Sequence, residues 1–318
     1  MALKHIKLKI QSVKKTSTVT RAMEAVSAVK MRKSQERALG GRAYAAAALT
    51  ILERLSSSHE LRHHPLMMDI VSPSLENDGH RKSIMRKTCL VLITSDKGLA
   101  GALNSNVIRT TERELESREL SKNDVVIIAI GRRGGDYFAN RGYDIRAKHE
   151  NLSDSVSESE MRFVTDLVLT MHREGEIGSA LVAYQNFLST FDQKPAIRQI
   201  LPIKPETIHE MVAGIVPAKG KYAGIGQGED WTPATYSIEP DIETVVNELM
   251  PKLLNIVVFH ALLEAKASEH SARMVAMKSA TDKAKEMARD LTRTFNKVRQ
   301  AAITREVSEI TSGIEAMK

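Results

Sequence analysis

The chain is 318 residues long, carries a formal net charge of +7, and is 27% charged but only 4% aromatic. Few aromatic residues beside abundant Ala, Leu, Ile, Val and Met disfavour a single bulky core and favour narrow helix-to-helix seams. With Cys89 alone an internal disulfide is excluded, and no uninterrupted apolar run approaches the roughly 18 residues that would cross a bilayer.

From Leu3 to about Ser57 there is no proline, and Ile6, Ile10 and Val13, then Val19, Met23 and Val26, then Leu49, Leu52 and Leu55 recur at helical spacing. The pattern predicts one helix of roughly 55 residues, about 80 Å long, with Gly40–Gly41 as a possible bend. Residues 1–42 hold eleven Lys and Arg against Glu24 and Glu36. A basic rod of this kind seeks nucleic acid, an anionic membrane or acidic protein loops. The first 21 residues are basic and acid-free like an organelle presequence, but the helical pattern starts at once and leaves no separate targeting segment.

Residues 59–85 read as a loop linker rich in turn signals. Its histidines His59, His63, His64 and His80 lack the Cys and carboxylate company of a metal site and are expected to be solvated. Across 86–205 strand and helix alternate: strands at Cys89–Thr94, Val125–Ile130, Ala180–Phe187 and Ala196–Ile203, helices at Gly101–Arg118 and Glu158–Arg173. This predicts a small Rossmann-like α/β domain with a largely parallel sheet. Cys89 should be a buried strand thiol. Ser95-Asp96-Lys97-Gly98-Leu99-Ala100-Gly101 follows the first strand, and Gly131-Arg132-Arg133-Gly134-Gly135 follows the second. Neither has the spacing of a phosphate loop, so both are expected to be strand-to-helix turns with exposed polar residues and no nucleotide. Residues 206–240, with Trp231, form an irregular or hairpin-like segment.

The last segment, 241–318, carries a heptad seam. Counting in sevens from Ile242 reaches Leu249, Ile256, Leu263, His270, Met277, Ala284, Leu291 and Val298. Counting from Val246 reaches Leu253, His260, Ala267, Met274, Thr281, Ala288, Phe295 and Ala302. Pro251 should split this into a short helix at 241–249 and a long one to about 314, roughly 95 Å in length, frayed by Gly313. His260 and His270 sit on the seam, where contact with the facing helix is expected. The fold class is therefore α/β with a dominant helical part: N-terminal (1–58) and C-terminal helices in a long antiparallel coiled coil, thinned by alanines, around the inserted α/β domain. Nucleophile, base and orienting group converge nowhere in a recognisable pattern.

Particular motifs carry a family resemblance. Ile10-Gln11-Ser12-Val13-Lys14, Thr20-Arg21-Ala22-Met23-Glu24 and Lys30-Met31-Arg32-Lys33-Ser34-Gln35 resemble the N-terminal helix of the gamma subunits of F-type, rotary ATP synthases. Ser95 to Leu99 resembles their central loop, and Gln193-Lys194-Pro195 with Leu201-Pro202 their last strand. Ser271-Ala272-Arg273-Met274-Val275-Ala276-Met277, Ala280-Thr281-Asp282, Arg299 to Thr304 and Glu309-Ile310 are similar to their C-terminal helix. Ala100 stands where many relatives have Cys and Lys97 where many have Arg. That keeps the charge but loses bidentate pairing, and the single cysteine excludes the dithiol control of chloroplast forms.

The resemblance implies a central-stalk rotor with no cofactor, no metal and no catalytic group. It would turn inside three alpha and three beta subunits, with the epsilon subunit and the membrane c-ring at its foot, on the cytoplasmic face of a bacterial energy-transducing membrane. Coupling contacts implied by it are Arg21, Met23, Lys30, Arg273, Arg299, Gln300, Thr304 and Glu306, with Ser95, Asp96, Lys97, Gly98 and Leu99 as a further contact loop. If Met23 lies opposite Arg273, residue 1 falls near residue 295. About 297–314 is then left unpaired with its apolar side chains in a sleeve supplied by other subunits. The alternative is a basic coiled-coil nucleic-acid-binding protein, which lacks aromatic residues beside its Lys and Arg.

Overall fold

The computed structural model describes residues 2–40, 64–67, 86–203, 239 and 241–317. The expected helical stretch beyond Gly40 (with Leu49, Leu52 and Leu55), the histidines His59, His63 and His80, and nearly all of the 206–240 segment lie outside the described residues. The chain divides into two compact units, one of Met1–Val29 with Arg273–Lys318, the other of Lys30–Ala272.

The first unit is built from parts of two helices, α1 (Ala2–Gly40) and a C-terminal helix (Ile242–Ala316). On α1 the shielded positions include Leu3, Ile6, Ile10, Val13, Ser17, Thr20, Glu24 and Ser27, alternately three and four residues apart, as a coiled-coil seam requires. Their counterparts are Met274, Met277, Thr281, Ala284, Ala288, Leu291, Phe295 and Val298. Thr20 Oγ1 and Thr281 Oγ1 share a hydrogen bond of 2.7 Å, which fixes the antiparallel register. Small residues fill the middle of the seam, Ser17 level with Ala284 and Val13 with Ala288, and let the axes approach closely. Two sequence expectations change. Val19 and Val26 are 58% and 55% exposed, because the phase set by Ile6, Ile10 and Val13 continues through Ser17, Thr20, Glu24 and Ser27 whatever their polarity. Met23 is level with Lys278 rather than Arg273, and Leu3 with Val298.

The second unit contains, in chain order, β1 (Lys87–Ile93), α2 (Leu103–Ser117), β2 (Val125–Ile130), α3 (Arg132–Ala139), β3 (Asp144–His149), α4 (Arg162–Arg173), β4 (Ile177–Phe187) and β5 (Gln193–Leu201). The C-terminal helix is α5. The sheet order is β3-β2-β1-β4-β5, with parallel pairs except the antiparallel β4–β5 edge. Six of the seven β1 residues are buried, as befits a central parallel strand covered on both faces. One face packs Leu90, Leu92, Ile127, Ala129 and Leu181 against α2 and Phe138 of α3. The other packs Cys89, Val91, Ile128, Val182 and Tyr184 against Val164 and Val168 of α4 and against Met250, Leu254, Val258 and Leu262 of α5.

Sequence reading missed α3 and β3. The Gly131–Gly135 run makes its strand-to-helix turn at Gly131 and is helical from Arg132, and β3 is an edge strand whose side chains alternate between exposed and half-buried, so Asp-Ile-Arg-Ala-Lys-His offers only two apolar residues as signal. The other correction is Pro251, which sits inside one continuous helix. Asp241 caps that helix by accepting from Thr244 N at 2.8 Å and Thr244 Oγ1 at 2.8 Å. Pro251 removes one backbone donor, but burial of Val246, Met250, Leu253 and Leu254 on either side of it outweighs that loss. The helix runs to Ala316, close to the expected end near 314. α5 also holds an 18-residue stretch of mean hydropathy 1.3, more apolar than the sequence reading allowed, and 56% of that stretch is buried within the protein.

Candidate interaction surfaces

The Ser95–Gly101 loop leaves the C-terminal end of β1, where open α/β sheets commonly bind ligands. Here that place is filled by the chain itself. Ser95, 1% exposed, donates from its backbone N–H to Asn104 Oδ1 at 3.0 Å and from its hydroxyl to the Lys97 carbonyl at 2.6 Å. Asp96 Oδ1 accepts from Arg132 N at 3.0 Å and Oδ2 from Asn151 N at 3.0 Å. Its carboxylate thereby occupies the first turn of α3, the spot a phosphate would take. A methyl group on Gly98 would come within 3.2 Å of the Arg133 guanidinium. Lys97 and Leu99 stand exposed, Leu99 63% so and with φ of 63°. A rigid base thus presents one cationic and one apolar side chain outward.

In the coiled-coil unit Arg21 is exposed, Met23 partly buried and Arg273 9% exposed. Beyond Val298 every residue whose exposure is described is exposed, Arg299, Gln300, Thr304 and Glu306 included. Residues beyond about 300 extend past the register of α1. Ile303, Val307, Ile310 and Ile314 repeat at four, three and four residues, 52 to 57% exposed. The predicted apolar tip is therefore present and starts a few residues later than expected. Thr304 Oγ1 donates back to the Gln300 carbonyl at 3.0 Å, which leaves its methyl as the outward group.

Lys30 lies in the second unit and is already engaged: its Nζ is 2.8 Å from Asp154 Oδ2. Asp154 Oδ1 meets His270 Nε2 at 2.9 Å and Lys266 Nζ at 3.7 Å, and the Asp154 carbonyl accepts from Arg37 Nη1 at 2.6 Å. The His270 bond foremost, then Lys30 and Lys266, hold the Asp154 carboxyl far below the usual carboxylate range against the opposing effect of burial. His270 thus finds its partner in the segment after β3 and not on the facing helix. Sequence reading missed Asp154, since an Asp in a Ser-rich loop carries no periodic signal. His260 Nδ1 lies 3.8 Å from Glu264 Oε1. His64, expected to be solvated, is half-buried, its Nε2 3.1 Å from Asn247 Oδ1, and burial lowers its pKa. Among the described residues no group of three or more His, Cys, Asp and Glu could hold a metal ion.

Fold and surfaces together define a class: a coiled-coil protein with an inserted Rossmann-like domain, whose conspicuous features are an exposed apolar helical tip and an exposed loop after β1. The model of the ATP synthase family matches residues 2–317. Among curated proteins, the ATP synthase gamma chain of Heliobacterium modesticaldum is 34% identical over 99% of this chain and 99% of its own length, and that of Burkholderia ambifaria is 35% identical with the same coverage. The chain belongs to the ATP synthase gamma chain family. Its fold is similar to a chain in the Euglena gracilis mitochondrial ATP synthase OSCP/F1/c-ring structure (19% identity, TM-score 0.61, covering 99% of this chain and 94% of that one). It also resembles one in the Tetrahymena thermophila central stalk/c-ring structure (22% identity, TM-score 0.56, covering 82% and 99%). The nucleic-acid-binding alternative gains no support from these relatives.

Proposed function

We propose that the chain is the central-stalk rotor subunit of an F-type ATP synthase, coupling rotation of an ion-driven membrane ring to ATP synthesis or hydrolysis elsewhere in the complex. The full-length match to gamma chains supports this reading, as do the rotor and central-stalk assemblies from which the structural neighbours come. The observation that carries it is the helical tip past residue 300, where four aliphatic side chains stay half-exposed with no second strand of coil beside them among the described residues.

In this reading the chain supplies no catalytic group and works at the membrane surface without inserting, on the cytoplasmic face of a bacterial inner membrane. Three alpha and three beta subunits surround the tip, and the epsilon subunit and c-ring meet the foot. Arg21, Met23, Arg273, Arg299, Gln300, Thr304 and Glu306 face the catalytic head, with Ser95 to Leu99 as a second docking point. Lys30 holds Asp154 within its own chain, leaving any partner contact to its aliphatic stem. Because the shaft differs on each side, turning it presents each beta subunit with a different surface in sequence. A state that binds one of those surfaces better is then favoured in turn.

The test is co-purification of the tagged chain from detergent-treated membranes with ATPase activity, compared with a chain truncated after Ala302. Truncation removes Ile303, Val307, Ile310 and Ile314. Burying the remaining half of four such side chains contributes about 4 kcal/mol in all, so recovery of the assembled head should fall sharply while coil melting stays within about 0.5 kcal/mol. Equal loss of both, or full assembly without the tip, overturns the proposed role of the tip. Failure to co-purify with any ATPase overturns the rotor reading itself.

A further inference from the structure

Apart from Lys30, the cluster around Asp154 has no part in the contacts assigned above, yet it joins three separate stretches of the second unit. Asp154 stands in the loop after β3, Lys30 and Arg37 on α1, Lys266 and His270 on α5. Two carboxylate oxygens and one carbonyl of a single residue receive four cationic or imidazole side chains, and Lys266 Nζ reaches the Leu152 carbonyl at 2.9 Å as well. The His270 and Lys266 side chains are only 5% and 13% exposed, and Asp154 30%, so the α5 bonds are not the solvated pairs that contribute almost nothing, whereas Lys30 is 48% exposed and the Arg37 bond lies at the surface. Among the described residues His270 Nδ1 is buried without a hydrogen-bond partner. The ring's hydrogen bond is made through Nε2 to Asp154.

We infer that Asp154 is a positioning residue for rotation: it clamps α1 and α5 to each other through the β3–α4 loop, so that within this unit the two helices turn as one body. The inference rests on the rotor reading for its purpose but not for its geometry. A rotor loaded through one helix must pass torque to the other. Interdigitated apolar seams resist separation without any preferred bond direction, and a charge cluster with fixed directions adds resistance to sliding.

Asp154→Asn keeps the shape and removes the charge, and Asp154→Glu restores the charge one methylene further out. In the full chain, hydrogen exchange at 30–37, 151–156 and 266–270 should accelerate at least about tenfold in D154N, the scale of losing charge-assisted bonds, and should return most of the way in D154E. Exchange in β1 and β2 should not change. Uniform acceleration across the unit, or no change at all, refutes the clamp. In the assembled complex, single-molecule recording of the rotor angle should show a broader distribution for D154N than for wild type or D154E. An unchanged distribution beside accelerated local exchange refutes the torque role while leaving the geometry in place. Lys30→Gln, which cuts only the α1 leg, should broaden the distribution less than D154N, and an equal or greater effect would place the joint elsewhere. Failure of wild type to assemble with an ATPase sinks the functional reading and the torque role with it, though not the clamp.

Discussion

Gly131 closes the connection on which the Ser95–Leu99 loop rests, and replacing it with alanine is a sharp test of that arrangement. Its φ is 93° and ψ 143°, a region that side chains other than glycine's strongly avoid. An added methyl would lie 2.0 Å from the Thr94 carbonyl oxygen and 2.6 Å from its carbon. Thr94 cannot withdraw freely. Its N–H is bonded to the Ile130 carbonyl at 2.8 Å, its hydroxyl accepts from Gly134 N at 2.9 Å, and the Gly131 N–H is held by the His149 carbonyl at 2.8 Å.

Gly142 supplies the control, because its φ is 80° but nothing lies within 4 Å of a methyl there. Gly142→Ala should therefore cost about 1 kcal/mol, the conformational penalty alone. Gly131→Ala adds displacement of bonded backbone and should cost at least about 3 kcal/mol. Native-state hydrogen exchange at the β1 and β2 amides of the full chain reads the stability of this unit directly. If the two variants agree within about 1 kcal/mol, the tight junction between the two loops is not what holds the surface, and the argument built on it fails.

Cys89 is fully buried and burial pushes its thiol up to about 12. It should resist maleimide in native buffer and react only at the rate of unfolding, and stoichiometric labelling within minutes would contradict its placement. The carboxyl of Asp154 is depressed in the folded chain, so its stabilising contribution is fully present above the unfolded value near 3.9. It is lost as pH falls from there through the lower folded value. Urea midpoints measured from pH 5 downward should accordingly drop less steeply in D154N than in wild type, and parallel curves would show that the cluster contributes nothing.

The central strands β1, β2 and β4 were readable because both faces of each are covered, which demands uninterrupted apolar runs that no loop would carry. The helices α2 and α4 followed from apolar spacing, and the C-terminal half of the coil from residues seven apart. β3 was unreadable for the converse reason: at a sheet edge its backbone bonds to β2 and its side chains need not be apolar. Of the candidate contact residues, the motif positions at Ser95–Leu99 and Arg299–Glu306 stood out in sequence, whereas Asp154 did not. It acts through Lys30, Arg37, Lys266 and His270, which lie 112 to 124 positions away along the chain.

By itself the sequence determined that two long amphipathic helices must find each other, that a buried, mostly parallel sheet lies between them, and that a stretch near the C-terminus stays apolar. Those properties depend on local spacing and composition. The tertiary structure decided the register, where the hydroxyls of Thr20 and Thr281 meet and shift the pairing from the expected Met23–Arg273 level, and it decided that α5 runs through Pro251. It also decided that Asp96 fills the turn a phosphate would otherwise take. Each of these outcomes balances small local costs against packing between segments far apart in the chain, and that balance exists only once the segments have met.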